Sequence, residues 1–191
     1  SVVMIKLIVG LGNPGKDYQT HRHNAGFWFI ESLAANLGSK FSIQSKFLGE
    51  ACAIHYGVIK IYLLKPQNFM NNSGGAIKSL SSYYNIKPEE ILVVHDELDL
   101  PAGSVKLKMG GGHGGHNGLR DTIKALNINN FYRLRIGIGH PGTKNDVVDF
   151  VLNAPSNSEM LLIEQGMADA MGGIESLANG DFEEAMKRLH T

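Results

Sequence analysis

The segment Met4-Ile-Lys-Leu-Ile-Val9, followed directly by Gly10-Leu-Gly-Asn-Pro-Gly15, decides the fold of this chain. A short apolar run that ends in glycines is typical of a strand buried inside a sheet. The apolar run of Ile91-Leu-Val-Val-His95 predicts a second core strand. Because segments with helical spacing alternate with such strands, the sequence predicts an α/β domain.

The rest of the chain supplies the other elements of this domain. Strands are predicted at 104–108 and 133–139, a hairpin at 51–56 and 58–65, and helices at 24–37, from 72 or 73 to 84, and at about 117–126. Capping boxes of Ser156 with Glu159 and of Asp181 with Glu184 predict two helices in the tail. We therefore expect a single domain over 1–191 with a mixed, twisted β-sheet flanked by helices, and the helices of 156–190 over the functional cleft.

Composition places the chain among globular proteins. Of its 191 residues, 43% are hydrophobic and 19% are charged, a balance that excludes a disordered or collagen-like chain. No apolar run reaches the roughly 20 residues of a membrane helix, and no secretory signal is recognised. The single Cys52 indicates a reduced, cytoplasmic location, and Ser1-Val2-Val3 is expected to be a cloning remnant.

The zero net charge hides a strong asymmetry along the chain. Residues 101–145 contain seven Lys or Arg and one Asp, whereas residues 146–191 contain two Lys or Arg and nine Asp or Glu. Such a separation can create an anion-binding face on a neutral protein. Chance and an acidic surface helix explain the same counts, so charge alone leaves both interpretations open.

Glycines and polar residues cluster where the predicted strands end. These loops are 10–15, 69–75, 95–99, 110–118 and 140–142. Sites in α/β sheets form at the carboxyl ends of strands, so we expect the loops to converge. Gly10, Gly12 and Gly15 match a dinucleotide-binding fingerprint, but no apolar helix opens directly after it. A tight turn is therefore the favoured interpretation, and no nucleotide cofactor is predicted.

His113 and His116 lie in a loop that contains five glycines between 110 and 115. Two histidines alone do not make a zinc site, which needs three or four protein ligands. Flexibility is the simplest role of such a loop. Lys106 and Lys108 precede it and a helix N-terminus follows it, which favours a polyanionic ligand.

Three single residues are candidates for catalytic chemistry. His23 has the right pKa range for a general base, Asp96 follows a core strand and could orient an imidazole, and Asn71 could donate to an oxyanion. Each residue also has a purely structural interpretation: His23 as the start of a helix, Asp96 as the end of a strand and Asn71 as a helix cap. Their occurrence with Asn13 and Asn117 at strand ends, without a Ser or Cys nucleophile motif, indicates direct attack by water on an acyl group.

Six segments resemble the signature segments of bacterial peptidyl-tRNA hydrolases, in order and spacing. They are Ile8-Val-Gly-Leu-Gly-Asn-Pro-Gly15, Arg22-His-Asn-Ala-Gly26, Phe69-Met-Asn-Asn-Ser-Gly74, His95-Asp-Glu-Leu-Asp-Leu100, Gly110-Gly-Gly-His-Gly-Gly-His-Asn-Gly118 and Arg133-Leu-Arg-Ile-Gly-Ile-Gly-His-Pro-Gly142. The resemblance implies a monomeric α/β enzyme that hydrolyses the ester between peptide and tRNA in the cytoplasm. It implies no metal or other cofactor, no membrane and no obligate protein partner.

The same resemblance implies roles for individual residues. It makes His23 the base and Asp96 its orienting partner, with Asn13, Asn71 and Asn117 holding the ester and the tetrahedral intermediate. Tyr18, Met70 and His116 would line the cleft. Lys108 and Arg135 would clamp the tRNA 5′ phosphate at the acceptor stem, and Lys106 and Lys144 would extend the basic surface. His21 departs from the family pattern, which commonly has Thr there.

Two other functions compete with this one. A module with the same fold could bind RNA without hydrolysing it, and a metal hydrolase could be built on His113 and His116. Loss of turnover on chelation would favour the metal enzyme, and replacement of His23 separates hydrolysis from binding.

Overall fold

The computed structural model describes residues 4–189, so the expected cloning remnant at 1–3 lies outside the described residues. Within that range one sheet has the strand order β2-β3-β4-β1-β5-β7-β6. The strands are β1 (Leu7–Gly10), β2 (Ser42–Gln44), β3 (Gly49–Tyr56), β4 (Ile59–Pro66), β5 (Ile91–Glu97), β6 (Val105–Met109) and β7 (Tyr132–Gly137).

Strand direction makes the sheet mixed, as predicted. β4, β1, β5 and β7 run parallel to one another, whereas the hairpins β2–β3 and β3–β4 and the pair β6–β7 are antiparallel. The carboxyl ends of the four parallel strands therefore meet at one edge of the sheet, where the loops after them form a crevice.

Helices cover both faces of this sheet. They are α1 (Ala25–Asn36), α2 (Ser73–Tyr83), α3 (Asn117–Leu126), α4 (Val147–Val151), α5 (Asn157–Ala178) and α6 (Phe182–Leu189). α1, α5 and α6 bury their apolar side chains on one face together with Ile8 and Val94. α2 and α3 pack on the other face against Leu7, Val9 and Val93. No helix among the described residues is long and apolar enough to cross a membrane.

Long or strongly patterned elements match the sequence prediction closely. The helix expected at 117–126 has those bounds, and the hairpin and the helix at 24–37 lie within two residues of the structure. The prediction missed β2, a largely exposed edge strand, and α4, a helix of five residues. Both are too short to show a hydrophobic period, which explains why the sequence did not reveal them.

Candidate active site

A cleft of about 1110 Å³ opens at the carboxyl ends of the parallel strands. It is lined by residues of the loops after β1, β4 and β5, the glycine-rich loop 110–118 and the segment 140–152. The predicted convergence of the loops is confirmed. Because the sheet and its packed helices anchor every loop, side chains far apart in the chain are held close together here.

His23 and Asp96 are in direct contact inside the cleft. His23 Nδ1 lies 2.8 Å from Oδ2 of Asp96, whose side chain is only 2% exposed. Burial disfavours the imidazolium, but the charge and hydrogen bond of Asp96 outweigh it and raise the pKa of His23. Burial also disfavours the Asp96 anion, yet His23 and His116 hold the pKa of this carboxyl well below its usual range. Asp96 is therefore ionised, and Nε2 of His23 remains available for substrate or water.

His116 holds the second oxygen of the same carboxylate. Its Nε2 lies 2.8 Å from Oδ1 of Asp96, while its Nδ1 accepts a hydrogen bond from the backbone N–H of Leu119 at 3.3 Å and caps α3. Because Nδ1 accepts, the proton is on Nε2, which donates to Asp96. His116 therefore has a structural partner on each ring nitrogen, and Asp96 lies between two imidazoles.

Asn13 is oriented by a network that the sequence analysis missed. Its Oδ1 accepts from the backbone N–H of Met70 at 2.7 Å. The side chain of Asn24 makes two hydrogen bonds to the backbone of Asn13. Its Oδ1 accepts from the N–H at 2.8 Å, and its Nδ2 donates to the carbonyl at 3.0 Å. Since its oxygen is engaged, the Nδ2 of Asn13 is the group left to donate into the cleft. Asn24 is buried, and no sequence signal distinguished it from an ordinary helix-start asparagine.

The glycines before Asn13 serve close packing. A Cβ on Gly10 would lie 2.4 Å from the carbonyl oxygen of Gly26, and a Cβ on Gly12 would lie 2.6 Å from the ring of Phe27. Gly15 has φ of 105°, which favours glycine. α1 therefore lies directly on the end of β1, and the motif is explained as a turn and a helix contact.

Asn71 and Asn117 lie on the exposed rim of the cleft. Oδ1 of Asn117 accepts from Arg120 at 3.1 Å, which leaves its Nδ2 for a ligand. The side chain of Asn71 has no hydrogen-bond partner within 4–189. Tyr18 packs edge-to-face on Phe69 at 5.7 Å between ring centroids, and Met70 is buried beneath this rim.

A face of β6 and β7 beside the cleft carries four cationic residues. Lys106 lies opposite Arg135 and Lys108 lies opposite Arg133 in the antiparallel register, so all four share one face. Lys108, Arg133 and Arg135 line the cleft together with the exposed Lys144, whereas Lys106 lies beyond its rim. Cations of the basic segment 101–145 therefore gather at one side of the cleft.

Arg133 holds the glycine-rich loop, a role that its position in a core strand did not reveal. It is 2% exposed and donates through its Nη atoms to the carbonyls of Gly111, Gly112 and Asn129. The sequence did offer one signal for this role: Arg133 and Arg135 are two residues apart in a strand, so both lie on the same face of the sheet. The loop is therefore held in place by a buried cation despite its glycines.

His95 lies within β5 and lines the same cleft. Burial and the neighbouring His116 lower the pKa of His95 to about 4. Its Nδ1 donates to the carbonyl of Asp96 at 2.8 Å, and its buried Nε2 has no partner among the described residues. His95 is therefore neutral, and its ring packs edge-to-face on that of His116 at 5.1 Å between centroids.

A metal ion has one candidate group of ligands within residues 4–189. His23, Asp96 and His116 each offer an atom within 4.8 Å of the others. The pairing of His113 with His116 is not part of this group, and Nδ1 of His113 accepts from Gly115 at 2.9 Å. A cation at His23 and His116 would replace the two hydrogen bonds to Asp96, which already satisfy these atoms.

The C-terminal region contributes to the cleft differently from the prediction. The lining residues are Val147, Val148, Val151 and Leu152 of α4 and its end, and no described residue of 156–190 is among them. α5 and α6 bury Ile163, Met167 and Leu189 in the core instead. Because α5 and α6 pack their apolar side chains into the core, the cleft wall is formed by α4 and not by these longer helices.

Arg22 ties that wall to the candidate base. It is 8% exposed and donates through Nη1 to the carbonyl of Phe150 at 3.0 Å. Its Nη2 lies 3.4 Å from Glu159, and its guanidinium stacks 3.9 Å from the centroid of the Phe150 ring. The residue before His23 is thus fixed to α4 and to the start of α5.

Residues 7–191 match the family model described as peptidyl-tRNA hydrolase. The peptidyl-tRNA hydrolase of Ruthia magnifica is 54% identical over 98% of each chain, and that of Methylobacillus flagellatus is 53% identical over 98% of this chain and 97% of its own. The crystal structure of the Acinetobacter baumannii peptidyl-tRNA hydrolase has a TM-score of 0.96 at 44% identity, covering 99% of this chain and 96% of that one.

Proposed function

This chain belongs to the peptidyl-tRNA hydrolase family, and on that basis we propose that it hydrolyses the ester between peptide and tRNA with His23 as the base that activates water. The observation that carries the assignment of the base is the contact between His23 Nδ1 and the buried Asp96 carboxylate at 2.8 Å. This contact fixes the tautomer that presents Nε2 as the proton acceptor.

The proposed reaction is a direct attack by water. Nε2 of His23 takes a proton from water as the oxygen bonds to the ester carbonyl carbon. When the tetrahedral intermediate collapses, the bond to the ribose oxygen breaks and the imidazolium returns the proton to that oxygen. The products are a peptide with a free carboxyl group and tRNA with a free hydroxyl. A positioned base contributes roughly 10²- to 10⁴-fold to such a reaction.

Three asparagine amides support the developing negative charge in this proposal. Asn13 is the best placed, because its Oδ1 is bonded to Met70 N and its Nδ2 is left to donate. Asn117 also has its oxygen engaged, and Asn71 lies on the same rim. One such donor contributes about 10²- to 10³-fold. Tyr18, Met70 and His116 form the walls that receive the ester and peptide.

The cationic face of β6 and β7 is the proposed tRNA contact. Lys108 and Arg135 would bind the 5′ phosphate at the acceptor stem, while Lys106 and Lys144 attract the adjoining backbone. Phosphate contacts add binding energy that weakens with salt and leave the chemical step unchanged. We place the reaction in the cytoplasm and propose no metal, cofactor or obligate protein partner.

Replacement of His23 tests the assignment. His23→Ala should lower kcat on N-acyl-aminoacyl-tRNA by about 10²-fold or more, with little change in the dissociation constant for this substrate. His55→Ala, which removes an exposed histidine on β3, is the matched control and should keep wild-type kcat. Near-normal turnover of His23→Ala would exclude His23 as the base.

A chelator separates this mechanism from a metal-dependent one. EDTA followed by dialysis should leave kcat unchanged. Loss of turnover that a divalent cation restores would mean that His23, Asp96 and His116 act as ligands rather than as a hydrogen-bonded chain.

A further inference from the structure

Arg133 and Arg135 lie on one face of β7 but use their guanidinium groups differently. Arg133 donates through its Nη atoms to loop carbonyls. Arg135 donates through Nε to Oε1 of Glu97 at 2.8 Å, and within the described part of the chain its Nη groups have no hydrogen-bond partner. Only the second arrangement leaves the two Nη groups that can bind a phosphate in a bidentate manner.

Glu97 is anchored on both oxygens. Besides accepting from Arg135, its Oε2 accepts from the backbone N–H of Asp99 at 3.2 Å. The side chains of Arg135 and Glu97 are 23% and 18% exposed, so the pair lies in the cleft wall, partly shielded from water. Burial disfavours the anion, but the bonds from Arg135 and Asp99 lower the pKa of Glu97, which is therefore ionised.

A carboxylate beside a phosphate-binding arginine has two opposing effects. Its charge repels the phosphate, whereas its hydrogen bond restricts a side chain that otherwise loses rotamer entropy when it is fixed. The double anchoring of Glu97 favours the second effect, because the carboxylate is held in place before any ligand arrives. Its charge is already compensated by Arg135.

We propose that Glu97 is a positioning residue for substrate selection: through Nε of Arg135 it orients the guanidinium towards the 5′ phosphate and so sets the preference for tRNA that carries this group. The inference rests on the proposed role of Arg135 as the phosphate clamp. Glu97 itself touches neither the phosphate nor the ester, so its effect belongs in KM and in discrimination between substrates rather than in kcat.

The test measures kcat and KM on N-acyl-aminoacyl-tRNA with a 5′ phosphate and on the same tRNA after dephosphorylation. Glu97→Ala should reduce the ratio of the two kcat/KM values about tenfold, equivalent to about 1.4 kcal/mol, with kcat retained. Glu97→Gln retains an oxygen that accepts from Nε of Arg135, so the ratio of the two kcat/KM values should stay close to that of the wild type. Glu164→Ala, which removes an exposed acid of α5, should change neither parameter.

Each alternative gives a different result in the same assay. If Arg135→Ala leaves the ratio unchanged, the phosphate clamp itself is wrong. If Arg135→Ala abolishes the preference and Glu97→Ala retains it, only the role of Glu97 is overturned. Tighter binding in both Glu97 variants would show that its charge merely repels the phosphate, and an equal loss on both tRNAs would show a purely structural role. In support of positioning, Glu97→Ala in combination with Arg135→Ala should add no further loss.

Discussion

Asp96 lies between two imidazoles, with Oδ1 at 2.8 Å from Nε2 of His116 and Oδ2 at 2.8 Å from Nδ1 of His23. The two contacts are equal in length but differ in consequence. His116 is already bonded at Nδ1 to the start of α3, so it fixes the carboxylate in the protein. His23 has its second nitrogen available for reaction. Asp96 therefore transmits the rigidity of a helix terminus to the proposed base.

The pH dependence of the reaction should reflect the raised pKa of His23. The base acts in its neutral form, so kcat/KM should rise with pH and level off above the pKa of His23, at a midpoint above the ordinary value of 6.5. Asp96→Asn removes the charge that stabilises the imidazolium and should move this midpoint to lower pH while lowering kcat. A pH–rate profile checks both effects, and an unchanged midpoint in Asp96→Asn would contradict the coupling.

His116→Ala should impair both catalysis and stability. It removes the cap of α3, which costs about 1 kcal/mol, and it leaves Oδ1 of Asp96 without its donor. We expect a smaller loss of kcat than in His23→Ala, measured on N-acyl-aminoacyl-tRNA. Asp181→Ala removes a comparable cap at α6, where Oδ1 of Asp181 accepts from Glu184 N at 3.1 Å. This control should lose stability but keep kcat; equal kcat values for the two variants would mean that His116 acts only as a cap.

Arg22→Met should destabilise the fold and loosen the cleft wall. It abolishes the bonds from a buried guanidinium to the carbonyl of Phe150 and to Glu159, and we expect the free energy of unfolding to fall by about 2 kcal/mol. Arg188→Met breaks an exposed ion pair with Glu184 and should change the free energy of unfolding by less than about 0.5 kcal/mol. Urea denaturation measures both values, and similar losses would show that the Arg22 contacts contribute nothing beyond a surface ion pair.

Gly26→Ala should be strongly destabilising. A Cβ there would lie 2.4 Å from the carbonyl oxygen of Val94 and 2.5 Å from the backbone of Leu11, so α1 would have to move away from the sheet, at a cost of about 1–3 kcal/mol or more. At Gly75 in α2 the nearest atom is 3.7 Å away, and Gly75→Ala should be neutral or stabilising. Thermal unfolding of the two variants distinguishes close packing from a general intolerance of alanine.

Residues that carry local signals were predicted well. The apolar run around Ile8 and Val9 is buried in the middle of the sheet, and the capping box of Ser156 with Glu159 begins α5 as expected. α4 carries no such signal. Its position over the cleft depends on Arg22, which lies more than a hundred residues earlier in the chain, and a contact of that separation leaves no local pattern.

Hydrophobic period, turn residues and motif spacing are written locally in the chain, so the α/β class, the buried strands, the loops at their carboxyl ends and the family signature could all be predicted from it. The pairing of the polar groups became visible only in the folded chain. Asn24 bonds the backbone of Asn13, Arg133 donates its Nη groups to a loop, and Arg135 donates Nε to Glu97 and has its Nη groups left for a ligand. The physical reason is that a hydrogen bond depends on distances of a few tenths of an ångström between side chains from different strands. Those distances are set when the helices and the sheet pack together.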